Sequence, residues 1–150
     1  MECEVLIRLV LVDPPQGIDF GMQSGSGANY TTLFVQQGTG GDLTFDFSVK
    51  AAESDKDGSP NFKGPIVQGP RGGRFVYIDV GTYAGQKFTH WSRRMKVPLQ
   101  AITWDLINKA VSKPGHRLLG KIAGRGEDGG PNCATVRLLE EWKVIAASAV

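Results

Sequence analysis

Between Asp42 and Lys50 the chain alternates strictly. Leu43, Phe45, Phe47 and Val49 fall on one side, and Asp42, Thr44, Asp46, Ser48 and Lys50 on the other. A period of two is the period of a strand, so this stretch predicts a half-buried antiparallel strand. Cys3 to Val12 is apolar on both alternating faces apart from Glu4 and Arg8, as a central strand covered on two sides should be. Asp13-Pro14-Pro15 ends it, because proline has no amide to give to a ladder. Thr31–Gln37, Arg74–Val80, Arg93–Leu99, His116–Ile122 and Ala134–Leu139 read as further strands, and Pro98 places the Arg93–Leu99 strand at a sheet edge. Gly21 to Gly27 reads as a Gly/Ser loop. Ala51 to Gly73 reads as a long loop with one short edge strand at Ile66–Gln68.

Only one segment changes period. Ile102, Leu106 and Ala110, with Ile107 and Val111, form a stripe at i, i+4 spacing, and Pro114-Gly115 stops it. The tail from Glu140 to Ala149 fits either a last strand or a short helix. Seven to eight short strands and one α-helix near 102–111 predict a mainly β fold, an antiparallel β-sandwich or barrel. Turn signals recur without a linker or internal repeat, so residues 1–150 read as a single globular domain. A chain of this length buries roughly two-thirds of its unfolded surface without staples.

Composition adds location and partners. The N-terminal run MECEVLIRLVLV begins with acids, lacks a basic leader region and is too short for a membrane span. A cytoplasmic protein with no membrane partner is the expectation, with Cys3 and Cys133 unpaired in a reducing compartment. The net charge of +2 hides two blocks. Lys63 to Arg125 holds twelve basic and two acidic residues, a net +10, while the flanks hold five basic and thirteen acidic, a net −8. Such a split points to an anionic partner or to self-association into a homo-oligomer, unless folding interleaves the blocks into an ordinary mixed surface.

The candidate chemistry lies inside the basic block. Phe88 to Lys96 interleaves aromatic and cationic side chains, and Arg94 and Lys96 share the face opposite the core if the segment is a strand. Arginine forks bind phosphate or carboxylate, and a neighbouring tryptophan stacks a planar group. Arg71, Arg74, Trp91, Arg93 and Arg94 are therefore the expected binding residues for a small polar or anionic ligand. The alternative for these cations is an edge strand kept soluble by charge. A small-molecule enzyme is the second class. Asp79 or His90 beside an arginine would act as acid or base, and Cys133 would be a weaker nucleophile candidate. Against this, Asp79 is better explained by an ion pair with an arginine across the sheet. Nucleic-acid binding is a third class, with no ribonucleoprotein signature or helix-turn-helix to support it.

Other motifs are incomplete. GSGANY at Gly25–Tyr30 lacks the last glycine and the helix of a dinucleotide fingerprint, and no Gly-Lys-Ser/Thr follows. Asp55 and Asp57, joined by Asp13 and Asp128, suggest calcium only weakly, since ordinary turns explain the same residues. Two histidines without a Cys-x-x-Cys offer no transition-metal spacing, and no cofactor is expected.

The words GSGANY, GDLTFDFSV, DGSPNFKGPIVQGPRGGRFVYIDVGTYAGQ, WSRRMKVPL, ITWDLI and DGGPNCATV occur in this order. In that they resemble an uncharacterised bacterial family, the domain-of-unknown-function group numbered five-nine-nine-zero. The resemblance runs from about Leu6 to Trp142. It implies a single compact bacterial domain and brings no activity with it.

Overall fold

The computed structural model describes residues 2–24, 31–53, 58–68, 74–85, 87–125 and 133–146. Among them eleven strands form two sheets, with one helix. The first sheet has the order β11 (Lys143–Ile145), β9 (Arg117–Ala123), β1 (Glu2–Val12), β4 (Leu43–Glu53), β5 (Pro60–Lys63). The second runs β10 (Cys133–Thr135), β8 (Lys87–Pro98), β7 (Phe75–Ala84), β2 (Asp19–Ser24), β3 (Thr31–Gln37), and β6 (Val67–Gln68) adds to one end of β7. The sheets are sandwich-like and do not close into a barrel. Most pairs are antiparallel, but β1–β9 and β10–β8 are parallel.

The alternation of β4 is realised as predicted. Leu43, Phe45, Phe47, Val49 and Ala51 are buried, and Thr44, Asp46, Ser48 and Lys50 are exposed. β1 is central, between β4 and β9, and its Val5, Ile7, Leu9 and Leu11 enter the core. Facing them from the second sheet are Phe20 and Met22 of β2, Val76, Ile78 and Val80 of β7, and Met95 and Val97 of β8, all in one cluster. Each large side chain fully withdrawn from water contributes about 1.5–3 kcal/mol, so this shared interior is the main source of stability.

The helix α1 (Trp104–Val111) starts later than its stripe because Thr103 caps it, its hydroxyl accepting from the Leu106 amide at 3.3 Å. Ile102 is still buried, in a turn whose amide donates to the Leu99 carbonyl at 3.1 Å. Ile107 and Ala110 are the buried residues of the helix, which packs against β1, β9 and β11.

Three expectations are corrected. β8 is not an edge strand: β10 pairs along it from Cys133↔Arg94 to Thr135↔Lys96. Pro98 is tolerated because it is the last residue of the strand. The Gly/Ser loop does not begin at Gly21, since β2 runs through to Ser24. Eleven strands replace seven or eight because β2 overlaps the stretch that reads as a Gly/Ser loop, β5 lies inside the stretch from Ala51 to Gly73 that reads as a long loop, and β11 lies in the tail that fits either strand or helix; β5 and β11 span only four and three residues. Runs that short cannot display an alternation.

Candidate functional site

In the second sheet the residues between the core-facing positions point away from the sandwich: Gly21 and Gln23 on β2, Tyr77 and Asp79 on β7, Arg94 and Lys96 on β8. A face of this kind is normally wet. Here Gln23, Asp79 and Thr32 of β3 are buried, and they are the buried polar residues among those described. All three meet on this one face.

Tyr83 helps to bury them. Two register shifts in the β7–β8 ladder, at Val80/Gly81 and Thr82/Tyr83, re-aim the end of β7. The Tyr83 amide donates to Asp19 Oδ2 at 2.9 Å, and its ring lies 3.8 Å from that of Phe88, centroid to centroid. Its hydroxyl sits where a side chain at position 21 would be: an ideal Cβ on Gly21 would lie 2.2 Å from Tyr83 Oη and 2.5 Å from Thr32 Cγ2. Glycine is therefore required in mid-strand for close approach and not for a turn. Gln23 Nε2 donates to Thr32 Oγ1 at 2.8 Å and to Tyr83 Oη at 3.2 Å. Burial pushes the Tyr83 pKa well above its usual value. Hydrogen bonding with Thr32 and Gln23 pulls the other way, while the charges of Asp79 and Asp19 add to the rise.

Directly across from Gly21 is Asp79, and across from Asp79 on the other side is Arg94. Arg94 Nε and Nη2 grip both Asp79 oxygens at 2.6 and 3.0 Å. The same guanidinium lies 4.8 Å from the Tyr77 ring centroid, and the Lys96 ammonium lies 5.9 Å from it. Phe75 extends the aromatic row, 6.5 Å from Tyr77. The result is an aromatic and cationic strip bordering a buried polar cluster.

The structure brings Asp79 and Arg94 together and separates other members of the expected set. Arg93 pairs with Val80, on the opposite side of β8 from Arg94, and donates to the Arg125 carbonyl. Trp91, opposite Gly81, and His90, opposite Thr82, lie beyond the first register shift and are exposed. Arg74 is exposed just before β7, its carbonyl accepting from the Leu99 amide at 2.9 Å. Cys133 occupies the register position beside Arg94. Arg71, Asp55, Asp57 and Asp128 lie outside the described residues. Asp13 is near Arg125, at 3.6 Å, and its amide donates to Asp42.

Three cations of the basic block are neutralised by acids of the flanks. Arg117 is 4.0 Å from Asp46, Lys121 3.4 Å from Glu140 and Arg125 3.6 Å from Asp13. These three residues belong to β9 or follow it, and β9 lies beside β1. The fold thus interleaves part of the split. Lys96 differs, with no carboxylate within ion-pair distance among the described residues.

Gln23, Thr32, Tyr77 and Tyr83 are members of the cluster that sequence reasoning missed. The parity of β7 puts Tyr77 beside Asp79 and was a usable signal. Nothing in the composition of β2 or β3 marks Gln23 or Thr32.

A family model described as Family of unknown function (DUF5990) matches residues 5–145. The chain belongs to that family. The match takes in both sheets, including β11, which lies beyond the end of the stretch where the resemblance was legible. No curated protein and no solved structure matches the chain. Among the described residues, no helix is long and apolar enough to cross a membrane.

Proposed function

We propose that the chain is a binding domain for a small polar, anionic ligand, seated on the outer face of the second sheet beside Tyr77, Arg94 and Lys96. The observation that carries this reading is the Lys96 ammonium over the Tyr77 ring, lacking an acidic partner among the described residues and next to an arginine already held in place. Asp79 orients Arg94 through both oxygens, so the fork loses little freedom when a ligand arrives. The Phe75 ring, tilted by 36° to that of Tyr77, adds apolar surface beside these cations for the uncharged part of such a ligand.

Binding is favoured over acid–base catalysis by the same ion pair. A general base needs a carboxylate oxygen within reach of the substrate proton, and the Asp79 carboxylate is held by Arg94 and only 5% exposed. His90 is exposed and three positions along β7 from Asp79 in register.

A thermal-shift screen of anionic metabolites tests the proposal, since a ligand at ~100 times its dissociation constant adds about 2.7 kcal/mol of stability. Calorimetry with the hit then compares Lys96→Gln and Arg93→Gln. Lys96→Gln should weaken binding about tenfold, the loss of one charge-assisted hydrogen bond, and leave the melting temperature of free protein unchanged. Arg93→Gln, on the other side of the strand, should leave affinity unchanged. Unaltered affinity in Lys96→Gln, or no anion that stabilises the protein, counts against the site. A steep fall of affinity with salt would instead indicate a nucleic-acid polyanion.

A further inference from the structure

The outward face of β7 and β8 changes character along its length. Phe75 lies opposite Pro98, Tyr77 opposite Lys96, and Asp79 opposite Arg94. These six side chains share one side of the sheet, because opposed residues and every second residue of a strand do so. The first pair is wholly apolar, the second is a ring with a cation, and the third is a closed ion pair. Phe75, Tyr77, Lys96 and Pro98 are each partly exposed, whereas the Asp79 side chain is only 5% exposed.

Within this strip Asp79 balances Arg94 through both carboxylate oxygens, which leaves the single charge of Lys96. One negative charge on a ligand satisfies it. A second would give up hydration without meeting another unbalanced cation of the strip, and taking a charge out of water is costly. The surroundings of Lys96 set where the rest of the ligand lies. Towards Arg94 the strip leads to Gly21, over which Tyr83 is folded, so that end is closed. In the other direction it is apolar, with the Tyr77 ring, the Phe75 ring 6.5 Å from it and Pro98. Exposed Thr135 takes the register position next to Lys96 on β10, where its hydroxyl can donate to the second oxygen of a carboxylate.

We infer that the ligand of this face is an organic monocarboxylate with an apolar body, an aryl- or alkyl-carboxylate, its head on Lys96 and its body over Phe75 and Pro98. The inference rests on the ligand face proposed above and narrows it. A bare oxyanion would satisfy Lys96 and leave the apolar pair unused. A dianion would carry one charge more than the strip balances. Apolar contact contributes in proportion to the area it removes from water, so the body of the ligand should set affinity as much as its charge does.

NMR titration of the isotopically labelled full chain tests it, with the Phe75, Tyr77 and Lys96 amides as reporters. The probes are acetate, inorganic phosphate, phenylacetate, phenyl phosphate and the neutral phenylacetamide. Phenylacetate should bind about tenfold or more tightly than acetate or inorganic phosphate, through the apolar area of its ring. Phenyl phosphate should gain nothing over phenylacetate, and phenylacetamide should not bind. Phe75→Ala should bring phenylacetate down towards acetate, and the probe series in wild-type protein decides the matter without that variant. Acetate or inorganic phosphate equal to phenylacetate, phenyl phosphate tighter than phenylacetate, or phenylacetamide its equal would each overturn the inference. So would the absence of any shift at the three amides with phenylacetate. If Lys96→Gln still weakens every anion in such a case, the face stands as an anion site and only the ligand class falls. Anion affinities untouched by Lys96→Gln would remove both.

Discussion

Arg8–Asp46 on the first sheet and Arg94–Asp79 on the second are the same interaction in two settings. Each joins residues directly opposite one another on antiparallel neighbours, and each is a two-pronged grip through Nε and Nη2. The distances are similar, 2.8 and 3.1 Å in the first and 2.6 and 3.0 Å in the second. Exposure separates them. The side chains of Arg8 and Asp46 are 18% and 40% exposed, those of Arg94 and Asp79 16% and 5%. Asp46 keeps water and gains a second cation, Arg117, at 4.0 Å. Asp79 has exchanged water for Arg94 and lies opposite Gly21, over which Tyr83 is folded. Geometry alone therefore does not set what an ion pair contributes. The cover over the carboxylate does, because losing a partner costs far more where water cannot replace it.

The largest effect that would break this comparison is at Asp79. Asp79→Asn should lower the free energy of unfolding in urea by about 3 kcal/mol, since it takes the balancing charge from a mostly buried guanidinium. Adding Arg94→Met should recover part of the loss. If Asp79→Asn costs no more than its counterpart at Asp46, burial is not what distinguishes the pairs. Tyr83→Phe comes next, at about 1 kcal/mol, for the hydrogen bond it accepts from Gln23. It also has a signature in alkali. Tyr83's folded pKa lies above the unfolded value of about 10, so its stabilisation is complete below that pH and is lost as pH rises above it. Stability measured across the alkaline range should fall in wild type and fall less in Tyr83→Phe; parallel curves would mean that Tyr83 is not the group responsible. The smallest effect is at Asp46, where Asp46→Asn should cost less than about 1 kcal/mol. The hydrogen bond from Arg8 holds the Asp46 carboxyl below its usual pKa, burial opposes this, and the charges of Arg8 and Arg117 assist. That contribution is present above the unfolded pKa of about 4 and fades as pH falls through the depressed folded value, so Asp46→Asn should flatten the acid limb slightly. A steeper acid limb in the variant would reverse the sign.

Much of the fold was legible. Leu43–Val49 announced β4 because half burial imposes a period of two, and Thr31–Gln37 has the bounds of β3. The centrality of β1 followed from its apolar content on both faces. β2 was misread because Gly21 looks like a loop residue, and its actual reason, room for Tyr83, lies 62 positions away in the chain. The candidate site was half legible. Asp79 with an arginine across the sheet, and Arg94 with Lys96 on one face, follow from strand parity. The separation of Arg93 from Arg94 follows from the same parity, and the wider binding set had overlooked it.

The sequence by itself determined the class of fold, the helix that ends before Pro114 and the core faces of the longer strands, because these depend on local periodicity and on the apolar free energy of each position. Only the tertiary structure decided which acid meets which base, which glycine must stay small, and that three polar side chains are buried on an outward face. Those outcomes depend on register between strands far apart in the chain. A shift of one residue would reverse every side chain without altering local composition. The edge strand β3 shows both influences. Its lack of charge is written in its seven residues, and its place at the end of a sheet is set by the order in which the other strands assemble.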